Sequence, residues 1–319
     1  MTKRAIQNDS ELLKPTTEQI KKAIEQSGYL LEQRVCPIIE RYGFLTTPNE
    51  QYQDQDTGKS REIDVYAVKL NSLYRSEFTD TLETILLIEC KNNSTPVVFF
   101  TQRNPIPESV FGYTVLNGYP DGIYEKESEE ATSIEDYFHF EKFHHNYKVK
   151  WIAHQFCQLK PKVIGQGSSK QKIEWEASHN GLYESIESLT KATAYYSSEL
   201  KSGIVLEEDT KDFIHLGMIY PILLFAGQIF ECRIIGKKYR LFERNHLTFY
   251  KIIQSKMLEG TYHIDVIQED YLSKFLSAVN EENDKIVNQL KRKRNLLKAN
   301  VERNFEKEKK NTNTPANKV

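Results

Sequence analysis

The sequence predicts an α/β protein with a C-terminal helical extension. Three observations carry this expectation. Segments with apolar residues at helical spacing are interspersed with segments that alternate with period two. The run Thr84-Ile85-Leu86-Leu87-Ile88 is apolar at both parities, as in a central strand covered on both faces. A long helical pattern fills residues 271–305. The chain has 319 residues, 39% hydrophobic and 28% charged, which suits one large domain or two smaller ones.

Taken in order, residues 1–15 are polar and read as a loose N-terminus. Thr16 or Thr17 can cap a helix to about Gln26, with Gly28 just past its end. A second helix runs from Tyr29 to Arg41, and Pro37 should kink or split it. Residues 45–70 read as a hairpin: Thr46–Gln53, a turn at Asp54–Lys59, and a returning arm Arg61–Val68. Asn71–Thr81 is polar, and Leu82–Lys91 is the buried strand. After Val97–Phe100 the pattern is irregular, and 121–141 is acidic enough to read as a solvated insertion. Tyr147–Leu159 fits strand or helix equally, and Gly165–Lys170 reads as a loop. A helix is expected over Leu182–Leu200, then strands over Tyr220–Ile235, Tyr239–Ile253 and Tyr262–Ile267. The main domain spans 16–270, the C-terminal helix 271–305, and a polar tail 306–319.

Several function classes lose ground at once. Cys36, Cys90, Cys157 and Cys232 are widely spaced and form no metal-binding pair, so they read as reduced core thiols of a cytoplasmic protein. The first residues carry no apolar signal core, and no apolar run is long enough to span a bilayer. There is no Gly-x-Ser-x-Gly and no His-Glu-x-x-His. Gly165-x-Gly167 lacks the strand a phosphate loop needs. His144, His145 and His154 read as core or surface histidines. A formal net charge of −2 does not announce a polyanion partner.

The informative residues are Ile88-Glu89-Cys90-Lys91 and Ile63-Asp64-Val65. Side chains alternate along a strand, so Glu89 and Lys91 share a face and Cys90 points to the other. Two carboxylates and a lysine at strand ends are what metal-assisted phosphodiester hydrolysis requires. Asp64, Glu89 and the backbone carbonyl of Cys90 offer hard oxygen ligands. Lys91 can hold the attacking water or offset charge on the phosphorus. Glu32, near the start of the second helix, can accept a hydrogen bond from a bound water or hold a second metal. The structural alternative is an ordinary Glu89–Lys91 ion pair. Glu-x-Lys alone carries little, since Glu199-Leu200-Lys201 and Glu308-Lys309-Lys310 also match it, and Ile264-Asp265-Val266 repeats the other string. The ordered set carries the inference.

In that order, helical Glu32, hairpin Asp64 and strand Glu89-Cys90-Lys91 resemble the PD-(D/E)XK, or restriction-endonuclease-like, nuclease superfamily, and its Mrr-like branch in particular. The resemblance rests on residues 16–100. Ile63 stands where the name-giving motif has Pro, and the gap between Asp64 and Glu89 is long. It implies a restriction-endonuclease-like fold, a mixed β-sheet flanked by helices, and a Mg²⁺-dependent nuclease, with Mn²⁺ as substitute. Asp64 and Glu89 would bind the metal, Lys91 would serve the water, and Glu32 would support the metal shell. DNA is the implied substrate ahead of RNA, with 5′-phosphate and 3′-hydroxyl products, in defence or repair. The family's next helix would be Leu182–Leu200, with Lys191 facing the same site. The alternative is an inactive nuclease-like fold that binds nucleic acid or protein. The basic segment Lys285–Lys310 fits contact with a phosphate backbone and a solvated helix face equally. A homo-oligomer stays open.

Overall fold

The computed structural model describes residues 14–74, 80–93, 95–105, 115–124, 130–164, 172–178, 181–202, 214–255 and 258–313. Helices α1 (Thr17–Gln26) and α2 (Tyr29–Glu40) come first. Strands β1 (Leu45–Gln53), β2 (Ser60–Ser72), β3 (Thr81–Lys91), β4 (Val97–Arg103) and β5 (Val115–Tyr119) follow. The two-residue strands β6 (Ile123–Tyr124) and β7 (Ala131–Thr132) lead into the short helix α3 (Ile134–Phe138). Next are β8 (Trp151–Ile164), β9 (Lys172–Ser178) and α4 (Tyr183–Ser202). Strands β10 (His215–Phe225), β11 (Ile229–Ile235), β12 (Lys238–Arg244), β13 (His246–Gln254) and β14 (Glu259–Gln268) precede α5 (Leu272–Arg292) and α6 (Arg294–Asn313).

Among the described residues, twelve strands form one mixed sheet, so the α/β class holds. Its order is β1-β2-β3-β10-β14-β13-β8-β4-β11-β12, with β5 beside β10 and β9 beside β8. Strand β3 is antiparallel to β2 and parallel to β10. Both faces of the central strands are covered. One face carries Leu82, Leu86 and Ile88 with α2 and α5; the other carries Ile85 and Leu87 with α4. The fit of α4 is close: a Cβ on Gly217 of β10 would lie 2.3 Å from a Leu200 methyl. Strand β10 also holds a proline at its centre, which costs a ladder hydrogen bond in most sheets. Here the second edge of β10 pairs with β5 over 215–219 and with β14 only from Ile222. Pro221 falls in the gap between the two ladders.

Local sequence explains the N-terminal elements. Thr16 caps α1 by accepting from Gln19 N–H at 3.2 Å, while Gln19 Oε1 accepts from Thr16 N–H at 2.8 Å. The hairpin turn closes on Asp54, whose carboxylate accepts from the N–H groups of Asp56 and Thr57. Pro37 does not split α2. It lies in the last turn, between the buried Val35 and Ile39, so little helix follows it to be broken.

Four expectations need correction. The acidic stretch is not simply solvated, because Ile134, Phe138 and Phe140 are buried in the α5-side core. The two long β-like runs after residue 220 are four strands, turning near Gly227 and between Arg244 and His246. The C-terminal helix breaks at Lys293, and helix continues to Asn313 instead of yielding to a polar tail at 306. Buried Leu297 and Val301 anchor α6, and the good helix formers beyond them propagate it. Tyr147–Leu159 resolves as strand from Trp151 onward. The expected loop at 165–170 lies outside the described residues. No helix among them is long and apolar enough to cross a membrane.

Candidate active site

Three elements bring the sequence-selected residues to one end of β3. The β2–β3 ladder stops at Val65 opposite Ile88; continued, it would set Ile63 against Cys90. Instead the Cys90 N–H donates to Asp64 Oδ2 at 2.7 Å. A side-chain carboxylate takes the place of a backbone acceptor, and the strands part there. On the other edge of β2, the ladder with β1 skips Asn49, opposite Asp64, whose φ is 54°. Ile63 then packs on the α4 side while Val65 and Ala67 pack on the α5 side, so β2 twists at Asp64.

Glu89 and Lys91 share the α4 side of β3, and Lys91 Nζ donates to Glu89 Oε2 at 3.2 Å. Glu89 is only 5% exposed. Cys90 faces the opposite core, and burial followed by the charges of Asp64 and Glu32 pushes its thiol well above the ordinary range. That thiol is therefore no nucleophile. Its carbonyl is another matter. A residue in an extended strand points its N–H and C=O to the same side, so the Cys90 carbonyl faces the side where Asp64 lies.

Glu32 sits in the first turn of α2 and is 6% exposed. Asn92, directly after Lys91, donates to the carbonyls of Glu25 at 2.8 Å and Ser27 at 3.1 Å. This ties the α1–α2 junction to the end of β3 and sets Glu32 within electrostatic range of Asp64 and Lys91. Among the described residues, Glu32 Oε2 is buried without a hydrogen-bond partner.

The charges are mismatched. Burial, then Asp64, raises the Glu32 carboxyl. Burial raises Asp64 against the opposing Cys90 N–H and Lys91. Burial, then Asp64, lifts Glu89 to about 7. Three crowded carboxylates face one ammonium, a set that a divalent cation would relieve. Among the described residues, however, these three carboxylates do not close to within 4.8 Å of one another as a group. An open groove of about 490 Å³ lies alongside, lined by Gln51, Ser60, Arg61, Glu62 and Ser188.

Lys191 does not join the site. It binds Asp54 at 3.1 Å and Glu187 at 2.7 Å. Part of the basic C-terminal segment is also spoken for. Arg294 binds Asp80 at 2.6 Å and stacks on Tyr74, and Arg303 stacks on Tyr124. Those contacts favour the helix-face reading for these two arginines.

A second polar cluster went unread in the sequence. His145 Nε2 lies 3.0 Å from Asp265 Oδ2, and His145 Nδ1 lies 3.2 Å from Glu282 Oε2. His246 Nε2 lies 2.8 Å from Asp265 Oδ1, which also accepts from Asn146 Nδ2 at 2.8 Å. Burial works against a charged His145, but Asp265 and Glu282 outweigh it and raise the ring to about 10. Burial holds His144, stacked on His145, down at about 4. Burial alone would raise Asp265; His145 and His246 keep it well below its usual range. The one sequence signal was an aspartate inside the apolar run Ile264-Asp265-Val266-Ile267, a placement that requires a buried partner. Comparison of the chain with family models, with curated proteins and with solved structures gave no match.

Proposed function

We propose that this protein is a Mg²⁺-dependent nuclease of restriction-endonuclease-like fold that hydrolyses DNA phosphodiesters. The observation that carries the reading is the parting of β2 from β3, where Asp64 Oδ2 accepts the Cys90 N–H beside the Glu89–Lys91 pair. It presents two carboxylates and a backbone carbonyl from neighbouring strands, the oxygen set a hard cation takes. Bound there, the ion would act as a Lewis acid on the phosphate and acidify water. Lys91 would position the attacking water by donating to it and would offset the charge growing on phosphorus. Glu32, with a buried oxygen to spare, would accept a hydrogen bond from that water's side of the site. Glu89 must be ionised to serve.

The competing reading is a nuclease-like fold without turnover that binds nucleic acid or protein. The 3.2 Å Lys91–Glu89 contact favours it, because the two side chains already satisfy each other as an ion pair. Full-length protein incubated with mixed DNA and Mg²⁺ separates the two. We expect metal-dependent cleavage, a loss of roughly a hundredfold or more in Lys91→Ala, and loss of Mn²⁺ binding at this site in Asp64→Asn. Unchanged cleavage in Lys91→Ala would discard the assignment. Metal binding without cleavage would leave the binding-module reading. Competition with RNA fixes the substrate.

A further inference from the structure

His145, His246 and Asp265 lie on the α5 side of the sheet, away from the face that holds Glu89 and Lys91. Asp265 is opposite Ile222 of β10, and Ile222 is opposite Ile88 of β3, so all three share that face. Glu282 of α5 closes the cluster from above. Three features are those of a metal centre. First, one donor atom from each of His145, His246 and Asp265 lies within 4.8 Å of the other two. Second, the outer contacts are in place. The Glu282 carboxylate faces His145 Nδ1 at 3.2 Å, which turns Nε2 toward Asp265 and His246, and Asn146 steadies the Asp265 carboxylate. Third, Thr248 is directly opposite Asp265 in the β13–β14 ladder and on the same face. Thr248 is 1% exposed and lines the adjoining cavity, yet its hydroxyl has no partner among the described residues.

That cavity, of about 400 Å³, is bordered by His145 and His246 and by Lys148, Lys150, Arg233 and Arg244. Glu231 engages both arginines, at 2.6 and 2.7 Å, and together with Lys150 the two arginines outnumber it on the wall. Two imidazoles and one carboxylate with an open side suit a first-row transition ion, whereas Mg²⁺ prefers an all-oxygen shell. We propose that His145, His246 and Asp265 form a second metal centre, specific for a first-row divalent transition ion such as Zn²⁺, whose open positions face this basic cavity and accept an anion there.

The test must not depend on the Asp64–Glu89 site. The full-length Asp64→Asn/Glu89→Gln double variant removes that site and leaves this one. We expect it to bind one Zn²⁺ or Co²⁺ per chain by calorimetry, with visible Co²⁺ bands that shift on adding inorganic phosphate. His246→Gln in the same background should weaken Zn²⁺ by roughly tenfold or more. Gln retains an N–H that can still reach Asp265, which guards against simple misfolding. In the wild-type protein, pulsed electron paramagnetic resonance of bound Mn²⁺ or Cu²⁺ should report nitrogen couplings, which the Asp64–Glu89 site has no histidine to supply. No ion in the double variant, or affinity unchanged by His246→Gln, overturns the centre. Co²⁺ bands indifferent to phosphate overturn the anion's place in it. Loss of DNA cleavage in the double variant with Zn²⁺ binding intact shows the two sites to be separate.

Discussion

Glu89 is held where burial and the neighbouring Asp64 both oppose its ionisation, and its carboxyl rises from the ordinary 4.5 to about 7. Between those values the folded chain keeps a proton that the unfolded chain has lost. Stability from this group is therefore full below about 4.5, falls as pH climbs through the window, and is gone above about 7. Glu89→Gln cannot ionise, so in metal-free buffer at pH 8 it should exceed wild type by roughly 3 kcal/mol. Urea midpoints across pH 4 to 8 check this, and the two proteins should converge at the acid end. A difference that does not vary with pH would discount the crowding of Glu89 with Asp64. Saturating Mg²⁺ should narrow the gap at pH 8, because the ion stabilises the carboxylate of the wild type alone.

At the scale of elements, the hairpin and α4 are joined by a buried ion cluster. Asp54 is fully buried and binds Arg61 at 2.6 Å and Lys191 at 3.1 Å. Burial alone would raise its carboxyl, but the two cations hold it well below the usual range. Lys191→Met leaves Asp54 with one cation and should cost on the order of 3 kcal/mol. Thermal or urea unfolding measures it; a cost near zero would mean that Arg61 alone satisfies Asp54. The same geometry shows why Lys191 misses the β3 site. Ser188 of α4 is the residue beside Glu89, and Lys191 is nearly one helical turn farther along, level with the hairpin tip. Sequence spacing put the helix in place but not the depth at which each of its turns meets the sheet.

Across the whole molecule, what was legible was what is local. Glu32, Asp64, Glu89 and Lys91 lie within sixty residues, and each is announced by its own element: a first helical turn, a hairpin arm, and an apolar strand that ends in charge. The strands after residue 220 were harder to separate, because Gly227-Gln228 interrupts an apolar run with only two polar-tolerant positions. The His145–His246–Asp265 cluster was illegible for a different reason. His145 lies 120 residues before Asp265 in the chain, and only the docking of β14 beside β10, under α5, brings the members together. Burial of Ile134 and Phe138 likewise depends on α5, which an acidic local composition concealed.

The placement of β10 beside β3 bears on when the proposed nuclease could first act. Every residue assigned to phosphodiester chemistry has been synthesised once residue 91 is joined, but the strand that flanks β3 on its inner edge spans residues 215–225. Until that segment emerges, β3 has an open edge and no sheet interior to lie in. A growing chain should thus carry a complete set of reactive groups and remain inert. A fragment ending at residue 202 tests this: it should give no cooperative unfolding transition and no cleavage, whereas a fragment that cuts DNA would show that the elements through α4 assemble unaided. The long-range pairing of the central strands would then serve as a timing device, withholding activity until most of the chain has been made.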